Sequence, residues 1–240
     1  MVGREADGIG GPGSSDGIVR RLLDAAGRGM AGVPEAHLRA PVLARISALH
    51  KDADAELAVR EAGEAVASAE GIEDPYARSF TLAEVSAGLG SADPLGAASA
   101  ARAALRAAKT VTDLHARTVA LAASAGALGA EDRERAKRVL AEAELLADSA
   151  CTCKRRCLLA AVLERTADLD PEDALQKADR LPDPQMRGIV LARAIARLAA
   201  ADPQRAMALV GRVPELHEQI EAWVALCAAL ANVRPELRRV

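Results

Sequence analysis

Apolar residues recur along this chain at fixed distances from polar ones. An arginine returns every 39 residues, as Arg39, Arg78 and Arg117, and each is followed four residues later by a Leu-Ala pair and fifteen residues later by an aspartate. The same order continues from Arg155 and Arg187. A period of this length is typical of stacked pairs of helices. The sequence therefore predicts an all-α protein in which antiparallel helix pairs form an α-α superhelix, or solenoid.

Each repeat contains two helices, and aspartates mark where they begin. The first helix carries the arginine and in three repeats follows Asp74, Asp113 or Asp183. The second helix follows the later aspartate, which is Asp54, Asp93, Asp132, Asp170 or Asp202. An aspartate accepts the free amide protons of the first turn, and the proline that often comes next suits the first helical position. Four residues further on, an alanine in every repeat predicts a tight helix crossing, at Ala58, Ala97, Ala136, Ala174 and Ala206.

The number and length of the repeats define the expected domain organisation. We expect about five to six helix pairs in residues 16–240, with the 39-residue period shortening to about 31 residues toward the C-terminus. Residues 1–15 are rich in Gly and Ser and are expected to form a flexible tail. The array begins and ends on half repeats, with Glu218 in the last arginine position. Such uncapped ends expose apolar surface, so we expect self-association or membership of a larger assembly.

This pattern resembles the tetratricopeptide class of helical repeats. The Leu-Ala pairs stand where that family has Leu-Gly, Ala97 and Ala104 are seven residues apart in a second helix, and prolines lie at the turns. HEAT-like arrays describe the chain nearly as well. The resemblance covers about residues 16–240, and it implies a superhelix whose concave face binds peptides or partner proteins and that performs no catalysis.

Composition and charge narrow the choice of partner. Half of the residues are hydrophobic but only 1% are aromatic, so the core must be assembled from Ala, Leu and Val. The net charge of −3 comes from 31 basic and 34 acidic residues that are interspersed along the chain. No surface of one sign is then available for nucleic acid or for a membrane. With no apolar stretch long enough to span a bilayer, we expect a cytoplasmic protein whose cysteines are thiols.

Three cysteines form the sharpest chemical feature. Cys151, Cys153 and Cys157 lie within seven residues, next to a basic run. Thiolates near a helix N-terminus and beside cations have a lowered pKa, and they can bind a soft metal or react with oxidants. The sequence thus contains a candidate metal or redox site.

The repeat argues against a metal at these cysteines. Cys157 shares its position with Phe80, Val119, Ile189 and Ile220, and Cys227 shares its position with Ala48, Ala87 and Ala196. We therefore expect both to be buried in the core as small hydrophobic residues. Cys151 and Cys153 then remain exposed, and two ligands do not close a metal site, so neither a metal nor another cofactor is predicted.

Several repeated polar positions are candidates for partner binding. Two residues before each arginine lie His37, Tyr76, His115, Cys153 and Gln185, either as solvated first turns or as a row that contacts a partner. The arginines themselves are expected to pair with the cap aspartates, the alternative being a ladder that binds acidic peptides. Trp223 falls where other repeats have alanine. It is either an end cap over the core or an anchor for a partner or a second copy.

These features favour a non-enzymatic scaffold that mediates protein–protein or peptide binding. The alternative is a thiol-based metal or redox sensor centred on Cys151, Cys153 and Cys157. Stoichiometric metal in the purified protein would favour the sensor, and unreactive cysteines would favour the scaffold.

Overall fold

The chain is helical in the part described by its computed structural model, residues 15–90 and 92–233. Twelve α-helices and no strands occur there, which confirms the predicted all-α class. Of the predicted tail at residues 1–15, only Ser15 lies within the described residues, as the first residue of α1. The helices are α1 (Ser15–Ala31), α2 (Ala36–His50), α3 (Ala55–Glu70), α4 (Pro75–Leu89), α5 (Pro94–Thr110), α6 (Leu114–Leu128), α7 (Arg133–Ser149), α8 (Thr152–Leu169), α9 (Pro171–Lys177), α10 (Pro184–Ala199), α11 (Pro203–Leu209) and α12 (Leu216–Val233).

Aspartates begin these helices as the repeat predicts. Each accepts at least one first-turn N–H on a carboxylate oxygen, at N···O distances between 2.7 and 3.2 Å. The aspartates are Asp54, Asp74, Asp93, Asp113, Asp132, Asp170, Asp183 and Asp202. Among the helices whose capping is described, α2 after Glu35 and α8 after Cys151 begin without a side-chain cap. Most helix starts are therefore determined by a local interaction between residues close in sequence.

The helices pack on their neighbours in chain order, within two compact units. The N-terminal unit is Met1–Ala100 and the C-terminal unit is Ala101–Val240, with the division inside α5. We call the even-numbered helices first helices and the odd-numbered ones second helices. In the C-terminal unit, α6, α8 and α10 each contact the second helix that follows and also the next first helix. In the N-terminal unit, α2 contacts α3 and α4 in the same way.

Leucine and alanine fill the contacts between these helices. The leucine of each Leu-Ala pair is at most 4% exposed, at Leu43, Leu82, Leu121, Leu159 and Leu191. Of the alanines predicted at a tight crossing, Ala58, Ala136, Ala174 and Ala206 are buried. Ala97 is half-buried and lies in α5, the helix that contains the division between the units.

The shortened repeats keep a closed core with fewer helical residues. The second helices α9 and α11 have seven residues each, whereas α7 has 17. A 3₁₀ turn follows each short helix, Ala178–Arg180 after α9 and Val210–Arg212 after α11. Leu181 and Val213 come directly after these turns and are at most 1% exposed. Val111, two residues before Asp113 as Leu181 is before Asp183, is also buried after the full-length α5, so this buried link position is common to long and short repeats.

The last first helix is displaced by one residue from its predicted position. In α4 the amide of Arg78 donates to the carbonyl of Asp74, and in α12 the amide of Gln219 donates to the carbonyl of Glu215. Gln219, not Glu218, therefore occupies the arginine position. Its side chain also donates to the carbonyl six residues earlier, as Arg39 does in α2. Trp223 accordingly stands in the leucine position of the repeat rather than the alanine position.

Candidate functional site

The three neighbouring cysteines lie at the start of α8. Cys151 is the residue before the helix, in extended backbone conformation, and Cys153 is the second residue of the helix. Their sulfur atoms are 3.1 Å apart, and both residues are exposed. Cys157 lies one helical turn further along, and it too is exposed. The structure therefore brings two of the three thiols together.

Burial of two cysteines was predicted wrongly. Cys157 and Cys227 are both exposed rather than in the core. The position of Cys157 is not a core position in other repeats either, because Phe80 and Val119 are half-buried and Ile189 is 39% exposed. It lies beside the stripe of leucines that faces the second helix, and helical geometry turns it away from that stripe. Residues at such an edge can be apolar without being covered.

The hydrogen bond between the thiols of Cys151 and Cys153 gives them different pKa values. The hydrogen bond with the Cys153 thiol contributes most to holding the pKa of Cys151 below its ordinary value. The backbone N–H and the positive charge of Lys154 lower this pKa further. The same interaction, together with the negative charge on Cys151, raises the pKa of Cys153. Of the two thiols, Cys151 is therefore the one that loses its proton more readily.

A metal site has less support at this place. Among the described residues, no group of three or more His, Cys, Asp or Glu side chains is arranged to hold a metal ion. Cys151 and Cys153 supply two soft ligands, whereas a closed zinc site uses four. The pair is better suited to thiol chemistry between its two sulfur atoms.

The row of polar residues lies at the second position of successive first helices. His37, Tyr76, Cys153 and Gln185 are exposed, and His115 is half-buried. The imidazole of His115 is held near the cap carboxylate of Asp113, with Nδ1 and Oδ1 3.8 Å apart. These side chains are solvent-accessible in each unit, so they are open to contact with a partner.

The repeated arginines do not pair with the cap aspartates as expected. Arg39, Arg78 and Arg155 donate instead to backbone carbonyls five or six residues earlier, in the link before each helix. Arg117 approaches Glu142 of α7 at 3.4 Å. The cap carboxylates are already occupied by backbone amides, which leaves the free carbonyls of the link as acceptors. The arginine thus ties the link to the helix.

An apolar stripe follows the exposed side of α12. Leu216, Ile220, Trp223 and Val224 are between 44% and 70% exposed, at the spacing of one helix face. In the other first helices, the position of Trp223 holds a buried leucine. Within the described residues, no second helix follows α12. The stripe is therefore an apolar surface of the kind that usually has a binding partner.

An acidic cleft lies between the starts of α10 and α12. It has a volume of about 330 Å³, and its walls are formed by Asp183, Pro184, Gln185, Glu215, His217 and Glu218. Glu218 is only 5% exposed, yet no hydrogen bond or ion pair joins it to another described residue. Its aliphatic stem lies over Gly188, where a methyl group would be 3.3 Å from Cγ. The cleft therefore presents the carboxylate of a residue that is otherwise largely covered.

The sequence does not predict that the side chains of Glu218 and His50 are largely covered. Glu218 is predicted only as the residue in the last arginine position. His50 is 1% exposed and lies 2.8 Å from Glu61, Nδ1 to Oε2. The available signal was the repeat itself, because the position of His50 holds Leu89, Leu128 or Leu198 in other repeats.

Comparison with known proteins adds no further constraint on function. No helix in the described part of the chain has the length and apolar character needed to cross a lipid bilayer. No family model, curated protein or solved structure matches this chain.

Proposed function

We propose that this protein is a non-enzymatic helical-repeat scaffold that binds another protein or a peptide, and that its helix pairs are stacked as in tetratricopeptide-like or HEAT-like solenoids. The supporting observation is the repeated contact of each first helix with its own second helix and with the next first helix. Such stacking leaves equivalent positions of successive helices open on one side. We also propose a cytoplasmic location, where the reducing environment keeps the four cysteines as free thiols.

The partner surface is centred on α12. The stripe of Leu216, Ile220, Trp223 and Val224 offers apolar area around a tryptophan, the residue type most enriched at binding hot spots. The cleft beside the start of the same helix contributes the carboxylates of Asp183, Glu215 and Glu218. A segment with an apolar face and a lysine or arginine is complementary to both features.

A peptide-display selection on the purified full chain tests this proposal. We expect enriched peptides to combine apolar residues at helical spacing with Lys or Arg. Trp223 is the single tryptophan of the chain, so a change in its fluorescence on titration reports binding at the stripe. Binding should also weaken as salt is raised, because the cleft contributes charge.

Variants then separate the two surfaces. By anisotropy of a labelled peptide, Trp223→Ala should weaken binding by about tenfold or more, and Glu218→Gln should weaken mainly peptides that contain Lys or Arg. Leu145→Ala on α7 removes another exposed apolar residue, away from the stripe, and is the control. Selected peptides that bind Trp223→Ala and wild type equally would contradict the proposal.

The alternative function, a thiol-based metal or redox sensor, has one observation in its favour. Cys151 and Cys153 approach each other to 3.1 Å, whereas Cys157 belongs to no group arranged for a metal. This favours the redox form of the alternative over the metal form.

A further inference from the structure

The thiol of Cys151 stands where other first helices have a cap carboxylate. Asp74, Asp113 and Asp183 accept first-turn amides at this position, but the side chain of Cys151 makes no capping hydrogen bond. The sulfur of Cys151 lies 3.1 Å from the sulfur of Cys153 instead.

The backbone allows these two sulfur atoms to approach further. Cys151 has φ −60° and ψ 150°, so it lies outside the helix and its side chain can rotate without breaking a helical hydrogen bond. Residues two apart at such a junction have Cα atoms within the separations that disulfides span. Both residues are exposed, so a small oxidant has direct access.

The surrounding charge favours one sulfur as the nucleophile. The hydrogen bond with Cys153, the backbone N–H of Lys154 and the positive charge of Lys154 all lower the pKa of Cys151. Two further cations, Arg155 and Arg156, follow in the first turn of α8. An exposed, stabilised thiolate next to a second thiol is the arrangement found in redox-active cysteine pairs.

We propose that Cys151 and Cys153 form a reversible dithiol–disulfide pair that reacts with hydroperoxides, with Cys151 as the attacking thiolate and Cys153 as the resolving thiol. The inference rests on the thiol pair alone, and its failure would leave the proposed partner binding untouched.

The reaction balances in two steps. The Cys151 thiolate attacks the terminal oxygen of the hydroperoxide, an S–O bond forms, the O–O bond breaks, and the alkoxide or hydroxide leaves and takes a proton from water. Cys153 then attacks the sulfenic sulfur, an S–S bond forms, the S–O bond breaks, and the departing hydroxide takes the proton of Cys153 and leaves as water. Two electrons pass from sulfur to the peroxide oxygens. Two low-molecular-weight thiols restore the pair by exchange and leave as their own disulfide.

Tryptic mapping of the oxidised full chain tests the pair directly. The reduced protein is treated with stoichiometric hydrogen peroxide near neutral pH, and its thiols are then counted with a chromogenic disulfide. We expect two of the four thiols to disappear and to return after treatment with a reductant. Trypsin cleaves after Lys154 and Arg156, so the peptide 139–154 carries both partners and excludes Cys157. The link should therefore appear as the loss of two hydrogens within this one peptide.

Serine variants assign the two roles. Cys153→Ser should stop at a sulfenic acid on Cys151 that dimedone traps, and Cys151→Ser should slow thiol loss by at least about tenfold. Serine is a good N-cap, so Cys151→Ser keeps the start of α8 intact. Cys157→Ser is the matched control and should form the link at the wild-type rate. A link to Cys157 or Cys227, a link between two chains, or equal peroxide reactivity of Cys151 and Cys157 would overturn the proposal.

Discussion

The α2–α3 pair and the α6–α7 pair have the same dimensions but different interiors. From the residue that begins the first helix to the aspartate that begins the second there are 19 positions in both, Glu35 to Asp54 and Asp113 to Asp132. At matching depth, the first pair buries His50 against Glu61. The second pair buries Leu128 and Val139 at the same positions.

This difference shows that the same buried positions of the repeat can hold either polar or apolar side chains. A buried polar group is costly unless it is hydrogen-bonded, and Nδ1 of His50 is hydrogen-bonded to Glu61 at 2.8 Å, whereas Nε2 of His50 is buried without a hydrogen-bond partner. Asp24 of α1 lies 3.6 Å from the other ring nitrogen of His50, beyond hydrogen-bond distance. The repeat therefore accepts either two polar residues or two apolar ones, and it should not accept one of each.

Removing one member of the polar pair should have the largest effect. Glu61→Val copies the α6–α7 residue but leaves His50 buried without its partner, so we expect the free energy of unfolding to fall by up to about 3 kcal/mol. Urea titration followed by circular dichroism measures the loss, and hydrogen exchange of α2 and α3 amides locates it.

The matched control is the double variant His50→Leu with Glu61→Val. It converts the interior of the first pair into that of the second, and most of the lost stability should return because no buried polar atom remains unpaired. If the double variant is as unstable as the sum of its single variants, the equivalence of the two pairs is wrong.

Replacing either of two glycines with alanine should change the stability of the protein, but in opposite directions. A methyl group at Gly88 of α4 would lie 3.0 Å from Cβ of Ala44 and 3.4 Å from the backbone nitrogen of Arg45, neither of which can move easily. We expect Gly88→Ala to lower stability by about 1–2 kcal/mol, because overpacking outweighs the gain in helix propensity.

At Gly126 of α6 the nearest atom to such a methyl group is the flexible Cδ of Arg165, at an ordinary 3.6 Å. Gly126→Ala should therefore raise stability by up to about 1 kcal/mol. Thermal unfolding of both variants measures the two changes. Unfolding temperatures that shift in the same direction would mean that helix spacing does not differ between α2–α4 and α6–α8.

In the C-terminal unit, charged groups join α8 to α10 at the edge of their contact. Asp168 accepts two hydrogen bonds from Arg193 at 2.9 and 2.8 Å, and one from Arg197 at 2.8 Å. Burial raises the pKa of Asp168, but the hydrogen bonds from these arginines outweigh it and hold the pKa below its ordinary value. Asp168→Asn should lower stability by about 1–2 kcal/mol at neutral pH.

The pH dependence of this contribution follows from the lowered pKa. A carboxylate with a depressed pKa in the folded state stabilises above its unfolded value of about 3.9, and the stabilisation disappears as pH falls through the folded value. The difference in stability between wild type and Asp168→Asn should therefore shrink as the pH falls below about 4. A difference that persists in strong acid would show that the substitution acts through packing.

The smallest effects are expected at the caps, and they should be alike in the two units. Asp74 and Asp183 both precede a proline and accept amides of the first turn. Replacing either aspartate with alanine should lower the free energy of unfolding by about 1 kcal/mol. Asp52→Ala, in the exposed link before α3, is the control and should change the unfolding temperature little. A much larger loss at one cap would show that its carboxylate has a role beyond helix initiation.

Much of the fold could be predicted because its signals are local. An aspartate bonds to an amide two or three residues away, so Asp113 and Asp202 indicate their helices without any knowledge of the rest of the chain. The leucines at 39-residue spacing indicate the buried stripe for the same reason. The seven-residue helices α9 and α11 also follow from the shorter spacing of the final repeats.

The candidate sites depended on contacts that no spacing defines. Cys157 shares a repeat position with apolar residues, but exposure depends on what covers that position, and nothing in the described chain covers it. The arginines repeat with the aspartates, yet the backbone amides occupy the carboxylates first. The one-residue displacement at Gln219 is set by the link before α12, where no aspartate marks the start.

The sequence by itself determined the helical class, the order of first and second helices, and the caps that begin most of them, because each depends on hydrogen bonds and side-chain spacing within one or two turns. Only the tertiary structure decided that Cys151 and Cys153 meet, that His50 contacts Glu61, and that Glu218 lines the cleft between the starts of α10 and α12. These facts depend on distances between atoms, which the rotation of each helix and the geometry of each link determine.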